Sequence, residues 1–249
     1  MINIRSPREI EQLRLSSKIL IETFHLIDKL IKPGIDTLIL DREINRFIRS
    51  KGAKPAFNGY RGFPASVCIS IDDEVVHGIP SKRKLAPGQI VGIDIGVEFQ
   101  GYFSDAAKTY IIGEVSAKTQ RLIEVTEQAL HLGIRQAIAG NRLSDISHAI
   151  QEHVEAAGFS VVRDLVGHGI GRELHEEPQI PNYGKANHGP RLKEGMVLAI
   201  EPMVNMGDYT VRTQNDKWTV RTSDGLPSAH FEHTVVVKNN AAEILTLGR

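Results

Sequence analysis

Two aspartates eleven residues apart, Asp94 and Asp105, interrupt stretches that otherwise read as buried β-strand. The first runs Gln89-Ile90-Val91-Gly92-Ile93-Asp94-Ile95-Gly96-Val97, the second Gly101-Tyr102-Phe103-Ser104-Asp105-Ala106-Ala107. An ionised carboxylate among isoleucines is costly unless a cation or a hydrogen-bond network compensates it. A hairpin centred on Phe99-Gln100 places Asp94 directly opposite Asp105 on one face of a sheet, with Cβ atoms ~4.5–5.5 Å apart. Two facing carboxylates repel each other unless they share a proton or a metal ion. The pair therefore predicts a cation site whose remaining ligands come from elsewhere in the chain.

The rest of the chain supplies an ordinary globular background. Its 249 residues, 41% hydrophobic and 24% charged, suit a single domain spanning residues 1–249. Thirty basic residues balance thirty acidic ones, so no global field favours nucleic acid or a membrane surface. The one cysteine, Cys68, precludes an internal disulfide and suits a reducing compartment. Arg5, Arg8, Glu9 and Glu11 leave no apolar core for a secretory signal near the N-terminus. Charges interrupt every apolar stretch well short of the ~20 residues that span a bilayer. The expected location is the cytoplasm.

Two helix pairs frame the strands. Ser6-Pro7-Arg8-Glu9 carries a helix start, with Ser at the N-cap, Pro at the first helical position and Glu at the third. Apolar residues recur from Ile10 to Ile31 until Lys32-Pro33-Gly34 ends the helix, and Asp36-Thr37 opens a second that Gly52 closes. Ser66 to Ile71 reads as a strand, and the aspartate hairpin extends through Ile112. Two more helices fit Ser116 to Ala139 and Ser144 to Ala157, each followed by a glycine. Further strands fit Val161-Val162, Val197 to Val204, Trp218 to Arg221, Ala229 to Val237 and Glu243 to Leu247. Two helices then strands, twice over, predict two similar α+β halves, residues 1–112 and 113–249, with helices covering one face of a mainly antiparallel sheet.

Three further candidate ligands occupy unusual contexts in the second half. His168 lies in Gly167-His168-Gly169-Ile170-Gly171, where glycines let backbone and side chain crowd a small site. Glu201 is the lone acid of Val197-Leu198-Ala199-Ile200-Glu201-Pro202-Met203-Val204, and Glu232 that of His230-Phe231-Glu232-His233-Thr234-Val235-Val236-Val237. Four carboxylates and one imidazole form an oxygen-rich set that suits Mn²⁺, Fe²⁺ or Co²⁺, and Zn²⁺ less distinctively. Four acids exceed the needs of one ion and fit a pair ~3.5–4 Å apart.

Singly, each residue has a blander reading: an acid at a strand edge, a histidine hydrogen-bonded in a loop. The glycine run also departs from a dinucleotide fingerprint, because Pro178 and Pro181 prevent a long helix after it. No His-Glu-x-x-His helix or Cys-His zinc spacing occurs, and Cys68 reads as packing or pocket wall. The joint occurrence of the five is what points to a metal centre.

In their local contexts, Asp94, Asp105, His168, Glu201 and Glu232 resemble the five metal ligands of the type I, bacterial-like methionine aminopeptidases. The resemblance runs from about Ile4 to Leu245 and includes Gly59-Tyr60, Ser66-Val67-Cys68-Ile69-Ser70, His77-Gly78-Ile79-Pro80, His175-Glu176-Glu177-Pro178 and Trp218-Thr219-Val220. It implies the α+β pita-bread fold, with pseudo-twofold halves whose helices cover a curved, mainly antiparallel sheet. It also implies co-translational removal of the initiator methionine by a pair of divalent ions (Co, Mn, Fe or Zn), with a small second residue preferred. Glu201 then acts as ligand and proton shuttle, His175 contacts the tetrahedral intermediate or the substrate amide, and His77 assists near the leaving amide.

By the same resemblance Tyr60, Phe63, Cys68, His77, His175 and Trp218 bind substrate. Phe57 and Leu174 depart from residues common in relatives and alter the expected pocket shape. The implied partners are nascent polypeptide N-termini and, transiently, the ribosome; the chain is expected to be a monomer without membrane or nucleic-acid cofactor. Ile2 is not small, so Met1 is expected to be retained. The rivals are an x-Pro peptidase of the same fold, for whose usual extra N-terminal domain 249 residues leave no room, and a non-catalytic binding protein, which would have lost ligands.

Overall fold

The structure, a computed structural model, describes residues 2–248; the expectation for Met1 lies outside the described residues. Helix α1, Pro7–Leu30, begins with a capping box: the Glu9 amide donates to the Ser6 hydroxyl, and the Ser6 amide donates to the Glu9 carboxylate at 3.0 Å. Helix α2, Thr37–Ser50, is capped by Asp36, whose carboxylate accepts the Leu38 amide at 2.9 Å. Strands β1 (Lys54–Pro55), β2 (Cys68–Ile71), β3 (Glu74–Val76), β4 (Gln89–Phe99) and β5 (Tyr102–Ile112) follow. The chain then repeats the order with α3, Ala117–Gln136, and α4, Leu143–Ala156. Next come β6 (Ser160–Val161), β7 (Val166–Gly169), β8 (Glu176–Pro181), β9 (Val197–Ile200) and β10 (Met203–Asn205). The last strands are β11 (Val211–Thr213), β12 (Val220–Thr222), β13 (Ser228–His230), β14 (Glu232–Val236) and β15 (Glu243–Ile244).

Nine strands form the main sheet in the order β1-β4-β5-β14-β9-β7-β8, with β2 beside β4 and β15 beside β14, and its ladders are antiparallel. Strand alternation divides its faces. Ile93, Ile95 and Val97 of β4 pack in one apolar cluster with Leu20, Ile27, Leu40 and Ile44 of α1 and α2. Leu198, Ile200 and Val235 pack in another with Leu122, Leu130, Ile146 and Ile150 of α3 and α4. The helices therefore cover one face, and Asp94, between Ile93 and Ile95, points to the other.

The hairpin register differs from the expectation. The turn is Gln100-Gly101, both at positive φ (53° and 78°), so Asp94 pairs with Ala107 and Asp105 with Gly96. A two-residue turn with φ positive at both centres matches strand twist, and glycine at its second position carries no steric cost. The shift is by two residues, so both aspartates keep the same face and become diagonal neighbours.

Two expected strands are broken. Val197 to Val204 divides at Glu201-Pro202, where proline lacks the N–H that continued pairing requires. Its second part, β10, pairs with β13 and β6 in a separate sheet. Ala229 to Val237 divides opposite that break at Phe231, whose amide donates to the Pro202 carbonyl at 3.4 Å, so both segments cross between sheets side by side. Conversely, the glycine- and proline-rich segments read as loops form β7 and β8. Strand β8 is the sheet edge, which tolerates Pro178 and Pro181.

Candidate metal centre

The five sequence-identified side chains meet on the helix-free face. One cross-strand row runs Cys68, Asp94, Ala107, Glu232; the neighbouring ladders pair Asp105 with Gly96 and set His168 and Thr234 on either side of Ala199. Small residues thus alternate with the acids and leave the space above the sheet to the carboxylates. Glu201 follows directly on β9, two residues beyond Ala199, and so faces the same side. The Thr234 hydroxyl donates to the Asp105 carbonyl at 2.7 Å and accepts the Asp105 amide at 3.0 Å, pinning β5 to β14 at the site. Gly167, next to His168, sits where a Cβ would come within 2.5 Å of the Ala199 carbonyl oxygen, so this crowding does require glycine.

The donor set fits a cation. Asp94 Oδ1, Asp105 Oδ1, Glu232 Oε1 and His230 Nε2 are buried without hydrogen-bond partners, and a native interior rarely leaves such groups unmatched. Ligand atoms of Asp105, His168 and Glu232 lie within 4.8 Å of one another, and His168 Nε2 is 3.5 Å from Glu201 Oε1. His168 Nδ1 stands 3.0 Å from the Gly169 carbonyl, a contact that holds the proton on Nδ1 and frees the Nε2 lone pair inward.

Burial pushes all four carboxyls up. Asp94 and Glu201 rise to about 7, with the Glu201 charge adding to the effect at Asp94. Asp105 and Glu232 lie well above the usual carboxylate range, through burial first and then the charges of neighbouring acids. A bound cation reverses this, since opposite charge favours the ionised form.

Beside the acids opens a cavity of about 150 Å³ whose remaining wall includes Phe57, Tyr60, Phe63, Cys68, His77, His175 and Trp218. Phe63 packs edge-on against Trp218 at 5.2 Å between ring centroids and against Phe57 at 6.5 Å. Gly96 admits this wall, because a Cβ there would come within 2.7 Å of the Phe57 ring. His175 lies between Tyr60, whose hydroxyl is 2.9 Å from Nδ1, and His168, 4.2 Å away between ring centroids. Partial desolvation first, and then proximity to His168, to the Arg61 cation and to His77, lower His175 to about 3, and burial lowers His77 to about 4. Both imidazoles are neutral near pH 7.

Residues 11–239 match the family model of metallopeptidase family M24. The chain belongs to that family. It is 53% identical over 248 residues to the methionine aminopeptidase of Clostridium acetobutylicum, covering 99% of each chain. The crystal structure of methionine aminopeptidase from Rickettsia prowazekii superposes with a TM-score of 0.98 at 43% identity, over 99% of this chain and 100% of that one. Prolidase from Pyrococcus furiosus shares the fold alone: TM-score 0.80, 24% identity, 99% of this chain and 66% of that one. This M24 peptidase is thus a metalloaminopeptidase with the pita-bread fold, and its buried acids and histidine are those of a divalent-metal enzyme.

The structure gathers every sequence-selected site residue of the M24 enzyme around one cavity. Of the two departures, Phe57 lines the cavity, whereas Leu174 is buried in the cluster behind it with Ile170 and Leu13. Two residues escaped sequence reasoning. Arg61 lines the cavity from a turn between glycines. His230 is buried with Nε2 3.7 Å from Glu201 Oε2; its alternation with Glu232 along one apolar run was the available signal.

Proposed function

We propose that this M24 enzyme removes the initiator methionine from nascent chains whose second residue is small, using two divalent ions. The observation that carries the reading is the set of buried, partnerless carboxylate oxygens that line one cavity with aromatic rings and a thiol. Asp94, Asp105, His168, Glu201 and Glu232 would hold the ions, drawn from Co²⁺, Mn²⁺, Fe²⁺ or Zn²⁺. Bound ions of this kind supply a water acidic enough to attack near neutral pH and polarise the scissile carbonyl.

The chain's own residues do the rest. The methionine side chain packs on Phe57, Phe63, Cys68 and Trp218, whose rings and thiol suit a polarisable thioether. Glu201, set between His168 and His230, accepts the proton of the attacking water and returns it to the departing amine. The Tyr60 hydroxyl, donating to Nδ1 of neutral His175, leaves Nε2–H to stabilise the carbonyl oxygen as it gains charge. His77 orients the leaving amide. Acting on nascent N-termini places the enzyme in the cytoplasm, as a monomer in passing contact with the ribosome.

The test is titration of chelator-treated protein with Mn²⁺, Fe²⁺, Co²⁺ and Zn²⁺ while cleavage of Met-Gly-x, Met-Leu-x and x-Pro peptides is followed. Activity on Met-Gly-x alone, reaching its maximum near two ions per chain, is expected. Full activity at one ion would remove the dinuclear mechanism, and cleavage of x-Pro peptides in its place would remove the substrate assignment.

A further inference from the structure

The cavity adjoins a larger depression of about 640 Å³, and Arg61, His168 and His175 line both. The depression is therefore the exit for the chain beyond a scissile bond held at the acids. Its other cations are engaged: Arg5 pairs with Glu176, and Arg172 pairs with Glu9 at 3.4 Å and donates to the Tyr102 hydroxyl at 2.6 Å. Arg61 is exposed, and its guanidinium lies 5.3 Å from the Tyr60 ring centroid. No carboxylate among the described residues pairs with it. Its backbone is left-handed (φ 49°, ψ 21°) between Gly59 and Gly62, both also at positive φ. Side chains held in such backbone collect at ligand clamps.

We propose that Arg61 is a specificity-determining residue that reads a carboxylate at the third residue of the peptide. The inference rests on the methionine-removal reading above. With methionine in the apolar end and a small second residue at the acids, the chain advances ~3.3–3.6 Å per residue. The third residue is then the first whose side chain enters the depression beside Arg61. A guanidinium grips a carboxylate through two parallel N–H···O bonds. Glu173 and Glu177 line the same depression, exposed and without ion-pair partners, so acidic residues gain nothing beyond the position next to Arg61. The carboxylate can be an Asp or Glu side chain or the terminus of a tripeptide.

The experiment measures kcat/KM of the metal-loaded enzyme for Met-Ala-Glu-amide, Met-Ala-Gln-amide, Met-Ala-Lys-amide and Met-Ala-Gln free acid, at low salt and at about 1 M salt. The wild type should favour Glu over Gln by roughly two- to fivefold, mainly through KM, and salt should erase the difference. An equal gain for the free acid adds the terminal carboxylate as a source; a gain for the Glu side chain alone assigns it to the side chain. Arg61→Lys should keep part of the preference, Arg61→Ala should bring the ratio near one, and Arg61→Glu should turn it toward Met-Ala-Lys-amide. A wild-type ratio of one at low salt, or an unchanged ratio in Arg61→Ala, overturns the proposal. The wild-type and salt arms decide even where a variant does not fold. Cleavage of none of the peptides overturns the methionine-removal reading itself, and this inference with it.

Discussion

Glu201 stands between two imidazoles, with His168 Nε2 3.5 Å from one oxygen and His230 Nε2 3.7 Å from the other. Burial raises its carboxyl to about 7 in the metal-free protein, as it does that of Asp94, and its place between the two imidazoles suits it to pass a proton. Glu201→Gln keeps the volume and removes that exchange, so kcat should fall by at least ~10²-fold. Calorimetry should still register uptake of a divalent ion by the remaining acids. Near wild-type turnover would transfer the proton step to another residue. At this scale the sequence was informative wherever a polar group interrupts an apolar run, because burial of charge demands compensation whatever the fold. Arg61 was not legible on that ground: it is exposed on a turn, and only the joining of two cavities gives it a role.

The β4–β5 hairpin shows what a one-element reading can and cannot carry. Alternation placed both aspartates on one face correctly, since an even register shift preserves the face. The register itself depended on which two residues turn, and the conformational freedom of Gly101 selected Gln100-Gly101. Nothing lies within 4 Å of a Cβ built at Gly101, so Gly101→Ala should cost ~1–2 kcal/mol for the left-handed backbone alone. Chemical denaturation checks this; no loss of stability would mean that the turn relaxes to another type. Strands β7 and β8 were illegible locally, because their glycines and prolines argue against strand until a sheet edge is available to hold them. The break after Glu201 was foreshadowed by Pro202, although the second sheet that receives β10 depends on partners distant in sequence.

Across the whole molecule the buried titratable groups pull against one another. Carboxyls raised by folding bind more protons folded than unfolded, so their contribution to stability is lost as pH rises through the folded values, about 7 for Asp94 and Glu201, with Asp105 and Glu232 also held well above the usual carboxylate range. His77, His175 and His233, lowered to about 4, 3 and 4, act oppositely: their contribution is lost as pH falls below the ordinary histidine value. The two sets oppose each other in mild acid, and above roughly pH 6.5 only the carboxyls still titrate. Chelator-treated protein should therefore melt at progressively lower temperature from roughly pH 6.5 to 8, and saturating Mn²⁺ should abolish the decline. A flat melting profile without metal would contradict the raised carboxyls. Strand β14, which carries Glu232, comes almost last in the chain yet lies in the middle of the main sheet, between β5 and β9. During vectorial synthesis the earlier strands must wait with an open seam, so closure is governed by long-range pairing and is slow. Until β14 inserts, β5 and β9 present raw edges to other chains. A newly made copy thus becomes aggregation-resistant and ligand-complete in the same late step.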